Sequence, residues 1–264
     1  MSRTTEARRA RFTPLAAALV AGLAGPVAAQ QAAAPVVQAT GAGGWNVTAE
    51  IYGWMPSINP ELASGQDLEI DFSDILDSLQ FTFMGAVKAE KGRWGLFADL
   101  VYLNIADSKS GSIRVGPFDL ADSVSVKMKS WIVSLGASYN FAQTQSSTFD
   151  VVGGARYLSV ETVVNANIGP LSRGIDETDT VWDGFIGLSG RTDLNDKWAI
   201  SYYADIGAGG SDLTWQALAA INYQVSDRIG LNAGYRHIDW QFDDFGPLDQ
   251  LYVTGPFVGL KISF

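Results

Sequence analysis

Ten stretches of this chain alternate apolar residues with small or polar ones: 45–55, 80–90, 94–105, 123–140, 149–163, 179–191, 197–207, 213–225, 228–240 and 251–264. Successive side chains of an extended strand point to opposite faces, so each stretch predicts a strand with one greasy face. The last, "GPFVGLKISF", sets Val258, Leu260, Ile262 and Phe264 on one face and Gly259, Lys261 and Ser263 on the other, up to its final residue. Gly, Asp, Asn and Ser cluster between the stretches, as they do at strand boundaries. The connections alternate as well. Tight links "KGR", "QTQSS", "DLNDK" and "VSDR" fall at one end, and longer intervals 56–79, 106–122, 164–178 and 241–250 at the other.

An even number of strands with short turns at one end and long loops at the other predicts an all-β fold: a transmembrane, antiparallel, up-and-down β-barrel. Ten strands is the direct count, with eight or twelve open if a segment has been split or merged. Beyond the first residues no run of about 18 uncharged apolar residues occurs, so a membrane-spanning helix is excluded and only a closed barrel can cross.

The aromatic residues supply a ruler. Trp94 and Tyr102, Trp131 and Tyr139, Phe149 and Tyr157, and Trp215 and Tyr223 each lie eight residues apart on one face of a segment. Eight residues span about 26 Å of strand, or roughly 20 Å of height once tilted, close to the apolar band that aromatic girdles flank. Phe264 then marks the girdle at the turn end of the last strand. A lipocalin-like soluble barrel alternates in the same way with its greasy face inward.

The charges discriminate between the two. Glu50, Lys88, Asp99, Arg156, Asp183, Arg191, Asp205, Arg236 and Lys261 all fall on the non-aromatic face, among Gly, Ser, Asn and Gln. A base facing lipid costs roughly 2–4 kcal/mol at the midplane, so the aromatic face is expected to meet lipid and the charged face to line a wet lumen. Arg156, Asp183, Asp205 and Arg236 are expected near one depth, forming bidentate pairs, with Lys88, Glu90, Arg191 and Lys261 as a second, lower set.

The first residues bound location. "MSRTTEARRARFTPLAAALVAGLAGPVAAQ" has a basic start, an apolar run and a small-residue site, so residues 1–29 predict a cleaved secretory signal peptide. Residues 30–44 are Ala/Pro/Gly-rich and predict a flexible periplasmic lead-in, leaving 45–264 for the barrel. The chain carries a net charge of −10, and the predicted leader takes four Arg and one Glu from it, so nucleic acid is excluded as a partner. With no cysteine, disulfides and thiolate metal sites are excluded too.

Four stretches carry a family resemblance: "SDLTWQALAAINYQVSDRIGLNAGYRHIDW" (211–240), "GGARYLSV" (153–160), "FSDILDSLQFTFMGAVKAEKGRWGLFADLVYL" (72–103) and "DLNDKW" (193–198). Through them the chain resembles an uncharacterised family of proteobacterial outer-membrane β-barrel proteins, broadly OmpA-like or porin-like in architecture. The resemblance implies a bacterial outer-membrane location, with contact to membrane lipid and lipopolysaccharide. The tail also resembles the C-terminal signal read by the barrel-assembly machinery. The position after "GYR", which this resemblance leads one to expect aromatic, is His237 here, which argues against a family-wide catalytic histidine.

Little chemistry is visible. His237, the one histidine, shares the lipid-facing side with Ile229, Leu231, Ala233 and Tyr235, and no serine stands two residues away on that face. An amphipathic ring at a membrane rim needs no further role, so no catalytic residue, metal site or cofactor is expected. In the first long interval Leu68, Ile70 and Phe72 alternate. "SDILDSL" then predicts a Ser/Asp-capped helical turn with Ile75, Leu76 and Leu79 on one face, and this loop is expected to restrict access to the mouth. Acids gather there (Glu61, Asp67, Glu69, Asp71, Asp74, Asp77) and at Asp239, Asp243, Asp244 and Asp249, without the spacing of an EF-hand. The expected function is a membrane scaffold or a narrow porin-like conduit for a small solute. The alternative is a surface-binding protein whose acidic loops engage cations, lipopolysaccharide or a macromolecule, and a lipid-modifying rim enzyme comes last.

Overall fold

A computed structural model describes residues 44–62, 70–115, 118–168, 171–245 and 248–264. The predicted signal peptide and almost all of the lead-in, together with Leu68, Asp67 and Glu69, lie outside the described residues. The strands are β1 (Asn46–Trp54), β2 (Ser57–Leu62), β3 (Leu79–Lys91), β4 (Trp94–Val115), β5 (Phe118–Gln143) and β6 (Ser147–Ile168). They continue with β7 (Leu171–Asp193), β8 (Trp198–Gly209), β9 (Leu213–Gln224), β10 (Ile229–Phe245) and β11 (Leu248–Ser263), and one short helix, α1 (Phe72–Asp77), precedes β3.

From β3 onward each strand pairs antiparallel with the next, and β1 pairs with β3 on one side and β11 on the other, which closes the sheet. β2 is not an extra stave. Trp54 stands opposite Phe257 and Ser57 opposite Thr254 in unbroken register, so β2 continues β1 past Met55 and Pro56. Proline has no N–H to give the ladder, and the stave is held there by Met55 N–H donating to Pro256 O at 2.9 Å. Gly255 permits the close approach, since a Cβ there would run into the Met55 carbonyl. The described residues thus form a closed antiparallel barrel of ten staves.

Three predicted loops are strand instead. Residues 106–115 and 118–122, 164–168 and 171–178, and 241–245 and 248–250 continue the ladders, with Val115 opposite Phe118, Ile168 opposite Leu171 and Phe245 opposite Leu248 at the tips. Alternation in "VSVKMK" (124–129) and "SVETVV" (159–164), at the ends of predicted strands, leads into two of these intervals, and a paired ribbon satisfies its own backbone beyond the membrane. β4 to β7 therefore project as a wall past the points where β3 begins and β8 ends. At the other end the turns are tight, as expected. Lys91 pairs Trp94 across a two-residue turn whose Gly92 has φ +61°, and Asn195 Oδ1 accepts from the N–H groups of Lys197 and Trp198 at 3.0 Å each.

The outward face is apolar. Leu96, Leu135, Ile186, Leu188, Ile206, Ile221 and Leu260 are 41–62% exposed, a state stable in hydrocarbon and costly in water. Neighbouring strands bring the girdle residues into cross-strand pairs. Tyr102 meets Trp131 at 4.3 Å and Tyr157 meets Trp182 at 4.8 Å at the loop end, and Trp94 meets Tyr139 at 4.9 Å at the turn end. Trp198 and Tyr223 add a further turn-end pair at 4.7 Å, Phe149 lies 6.2 Å from Tyr202, and Trp215 packs on His237 at 4.5 Å. Phe264 is exposed at the turn end, its N–H bonded to Val47 O at 2.9 Å.

Leu135 lies midway between Trp131 and Tyr139. Leu135→Arg is expected to lower the free energy of folding into lipid vesicles by about 2–4 kcal/mol, and Phe141→Arg, beyond the girdle, by about 0–1 kcal/mol. Equal costs at the two positions in a denaturant titration would place the membrane elsewhere.

Candidate functional site: the barrel interior

The inward positions form three layers. At the turn end the side chains are polar, with Lys88, Glu90 and Arg191 half-exposed and Asp150, Asn222 and Asn232 buried. Lys88 Nζ lies 2.8 Å from Glu90 and 3.5 Å from Asp150, whose Oδ1 also accepts from Asn140 at 2.8 Å. Lys261 donates to Asn222 Oδ1 at 2.8 Å and lies 3.7 Å from Glu50, which accepts from Asn232 at 2.7 Å. Arg191 bonds Asp193 on its own strand at 2.8 Å. The predicted lower set is present, but as separate local clusters.

The middle layer is largely buried, with the Asp99 side chain 19% exposed. Arg156 pairs with Asp205, both side chains at 0% exposure, and also donates to Thr214 Oγ1 at 3.0 Å. Arg236 donates to Asp99 Oδ1 at 2.8 Å, to the Tyr52 hydroxyl at 2.9 Å and to Gln216 Oε1 at 3.0 Å. Tyr52 in turn donates to Asp99 Oδ2 at 2.7 Å, and Gln216 Oε1 also lies 3.5 Å from Arg156 Nη2, linking the two halves. Each guanidinium stacks on an inward ring, Arg156 over Phe185 at 5.2 Å and Arg236 over Trp54 at 5.1 Å. Most donors of the layer meet a fixed acceptor, while Arg236 Nε and Asp205 Oδ1 have no partner among the described residues.

The expected quartet is corrected in one member. Asp183 stands opposite Arg156 in the ladder but accepts from the Ser211 backbone N–H at 2.8 Å, and its second oxygen has no partner among the described residues. Its place as the second acid is taken by Asp99. Neither ion pair is bidentate, because each guanidinium spreads its donors over several strands. Tyr52, Gln216 and Thr214 complete the network. Alternation set Tyr52 on the face of Glu50, but which walls meet across the lumen depends on barrel stagger, which one strand does not encode.

Towards the loop end the interior becomes apolar. Trp54, Met84, Val101, Ile132, Leu158, Val181, Ile238, Trp240, Phe242, Leu251, Val253 and Phe257 form one buried cluster inside the staves. The expectation of a wet lumen along the whole barrel is therefore wrong for this half. The inward aromatics Trp54, Phe97, Phe185, Trp240 and Phe257 also break the rule that aromatic residues face out. A ten-stave interior is narrow, and large rings fill it at lower cost than ordered water beside apolar walls.

His237 lies on the outward face between Trp215 at 4.5 Å and Tyr252 at 5.8 Å. Asp239 is engaged by Gln250 at 3.0 and 2.9 Å. In the first interval, α1 starts at Phe72 after Asp71, whose carbonyl receives Asp74 and Ile75 N–H and whose side chain makes no cap bond, unlike the expected Ser/Asp cap. Ile75 is buried and Leu76 exposed, so the two do not share a buried face. At the rim Glu61, Asp212, Gln241, Phe242, Asp243, Asp249 and Gln250 line a recess of about 380 Å³. Among the described residues no group of three or more His, Cys, Asp or Glu is arranged to hold a metal ion.

The apolar outer belt, aromatic girdles and closed ladder define a membrane β-barrel whose interior is open at the turn end and sealed from mid-height upward. The chain belongs to the family described as "Protein of unknown function, DUF481", whose profile matches residues 122–255, from β5 into β11. A search of curated proteins returned no significant match. Among solved structures the chain is similar to the outer membrane protease OmpT from Escherichia coli (12% identity, 83% of this chain and 97% of that one, TM-score 0.45). It is also similar to the translocator domain of autotransporter NalP from Neisseria meningitidis (14%, 86% and 91%, 0.44). A third is Ail of Yersinia pestis in complex with the heparin analogue sucrose octasulfate (10%, 83% and 98%, 0.38). At this similarity no substrate or partner transfers from them.

Removing one partner of the dry pair strands a charge. Asp205→Ala is expected to cost about 3–5 kcal/mol, and Arg156→Leu with Asp205→Leu much less than the two single changes together. Additive losses in a double-mutant cycle would show that the pair is solvated. In the recess, desolvation first and then a hydrogen bond and charge from Asp243 raise the Asp212 carboxyl above its usual range. In the window just above the ordinary value the folded state then holds more protons than the unfolded one, so stability falls as pH rises through it. Asp212→Asn should flatten that slope in thermal melts, whereas an unchanged slope would mean the two acids do not interact.

Proposed function

We propose that the protein is an integral bacterial outer-membrane barrel acting as a sealed scaffold that carries the β4–β7 wall and the acidic rim on the outside. Tight turns and the lead-in face the periplasm, the girdles meet outer-membrane lipid and lipopolysaccharide, and β11 is the strand presented to the assembly machinery. The observation that carries this reading is the interior cross-section at Arg156 and Asp205. Neither side chain touches solvent, and the apolar cluster lies beyond them. A conduit needs a continuous wet path, and sites that bind weakly enough to release. Here passage would require parting the Arg156–Asp205 and Arg236–Asp99 pairs and a packed core. No catalytic role is assigned, since His237 is held between two rings and Asp239 is occupied by Gln250.

The purified protein is expected to give no stepwise conductance in a planar lipid bilayer. The combined Arg156→Ala, Arg236→Ala, Trp240→Ala variant should give small, voltage-stable steps. Steps from the unaltered protein would overturn the scaffold reading in favour of the narrow conduit.

A further inference from the structure

From Leu171 to Val181 one side of β7 is paired with β6, but the other is engaged only from Trp182, whose carbonyl accepts from Gly210 N–H at 2.8 Å, and from Asp183 opposite Gly209. β8 turns back there into β9, whose ladder with β10 starts at Leu213 and Gln241, while β10 itself runs on to Phe245. The short β8–β9 connection thus leaves a notch in the rim between the upper parts of β7 and β10. Among the described residues no strand occupies the free edge of β7. The outward-pointing N–H and C=O groups of such an edge are a template for another extended chain.

The notch is also acidic. Asp176 and Glu177 are exposed and Asp179 half-exposed on β7, with Glu177 and Asp179 on the face that carries Asp183 and Asp176 on the face that carries Trp182. Asp212 sits on the β8–β9 connection, and Asp243, Asp249 and Glu61 share its recess. Lys129, a base on the adjoining wall, is already held by Glu161 at 2.7 Å, and on the edge itself Arg173 is one base against the three acids Asp176, Glu177 and Asp179. A second copy using the same edge would set these acids against themselves, in a chain whose net charge is −10.

We propose that the free edge of β7 docks an extended segment, rich in lysine or arginine, of another protein, which adds as a further strand in the notch. Backbone hydrogen bonds supply the affinity, and Glu177, Asp179 and the Asp212–Asp243 recess select for positive charge. The inference rests on the rim facing outward as part of a sealed scaffold. Its failure is separable, because the edge can prove inert while the barrel still does not conduct.

The test uses the full-length protein in detergent micelles and a short synthetic peptide alternating lysine and valine, titrated calorimetrically. A control peptide of equal charge carries N-methyl groups on alternate backbone amides. The parent peptide is expected to bind, to slow hydrogen exchange of amides 171–182, and to weaken as salt rises. Methylation should reduce affinity at least tenfold, and so should Glu177→Gln with Asp179→Asn in a protein that keeps its heat-modifiable migration. Equal binding of the methylated peptide, unaltered exchange at 171–182, unchanged affinity of the acid variant, or no binding would each overturn the proposal.

Discussion

Hydrocarbon offers no hydrogen bonds, and the pairing of β11 back onto β1 is what lets this sheet exist in it. Once the ladder closes, every stave must put one face outside and the other inside, and alternation along ten stretches becomes a physical necessity. The device at Pro56 shows how strict the requirement is. A residue without an N–H is admitted to the first stave only because Met55 bonds Pro256 beside it and Gly255 leaves room for the approach.

Closing a small barrel creates a second constraint, because ten inward-facing rows compete for little space. The chain meets it differently at each end. Half-exposed clusters around Lys88, Lys261 and Arg191 line the turn-end mouth, and two guanidinium groups bonded across the lumen form a floor beneath a core of Trp54, Trp240, Phe257 and their neighbours. A dry ion pair is weak evidence for stability by itself. It does join distant staves, since Arg156 on β6 reaches Asp205 on β8 and Arg236 on β10 reaches Asp99 on β4. Lateral stiffness and a filled cross-section thus arise from the same bonds, which suits the scaffold proposed above.

The fold was legible because lipid enforces a simple code: period two, aromatic limits, and charges on one face. The same code sorts Trp131 and Leu135 from Arg156 and Asp205, which the fold leaves exposed and buried respectively. It failed where lipid no longer acts. The ribbons through 106–122 and 164–178 lie beyond the girdle, where residues such as Asp176 are polar on the outward face as well, as Lys127 and Glu161 already are at the ends of the predicted strands, and turn-like composition hid the pairing. Inside, alternation could place Asp183 and Asp99 on the inner face but could not choose which one meets an arginine, because that choice depends on stagger around the barrel. Trp54 and Trp240 misled for a related reason, since an inward indole carries the same letter as a girdle indole.

The two populations of tryptophan offer the most direct measurement of the central claim, that one face meets lipid while the interior above mid-height is dry. Single-tryptophan variants reconstituted into vesicles of brominated lipid would be read by fluorescence quenching. Trp94, Trp131, Trp182 and Trp198 are expected to be strongly quenched and Trp54 and Trp240 little, the latter two also resisting aqueous quenchers. Quenching of Trp54 and Trp240 by brominated lipid, with the outward set silent, would contradict the central claim.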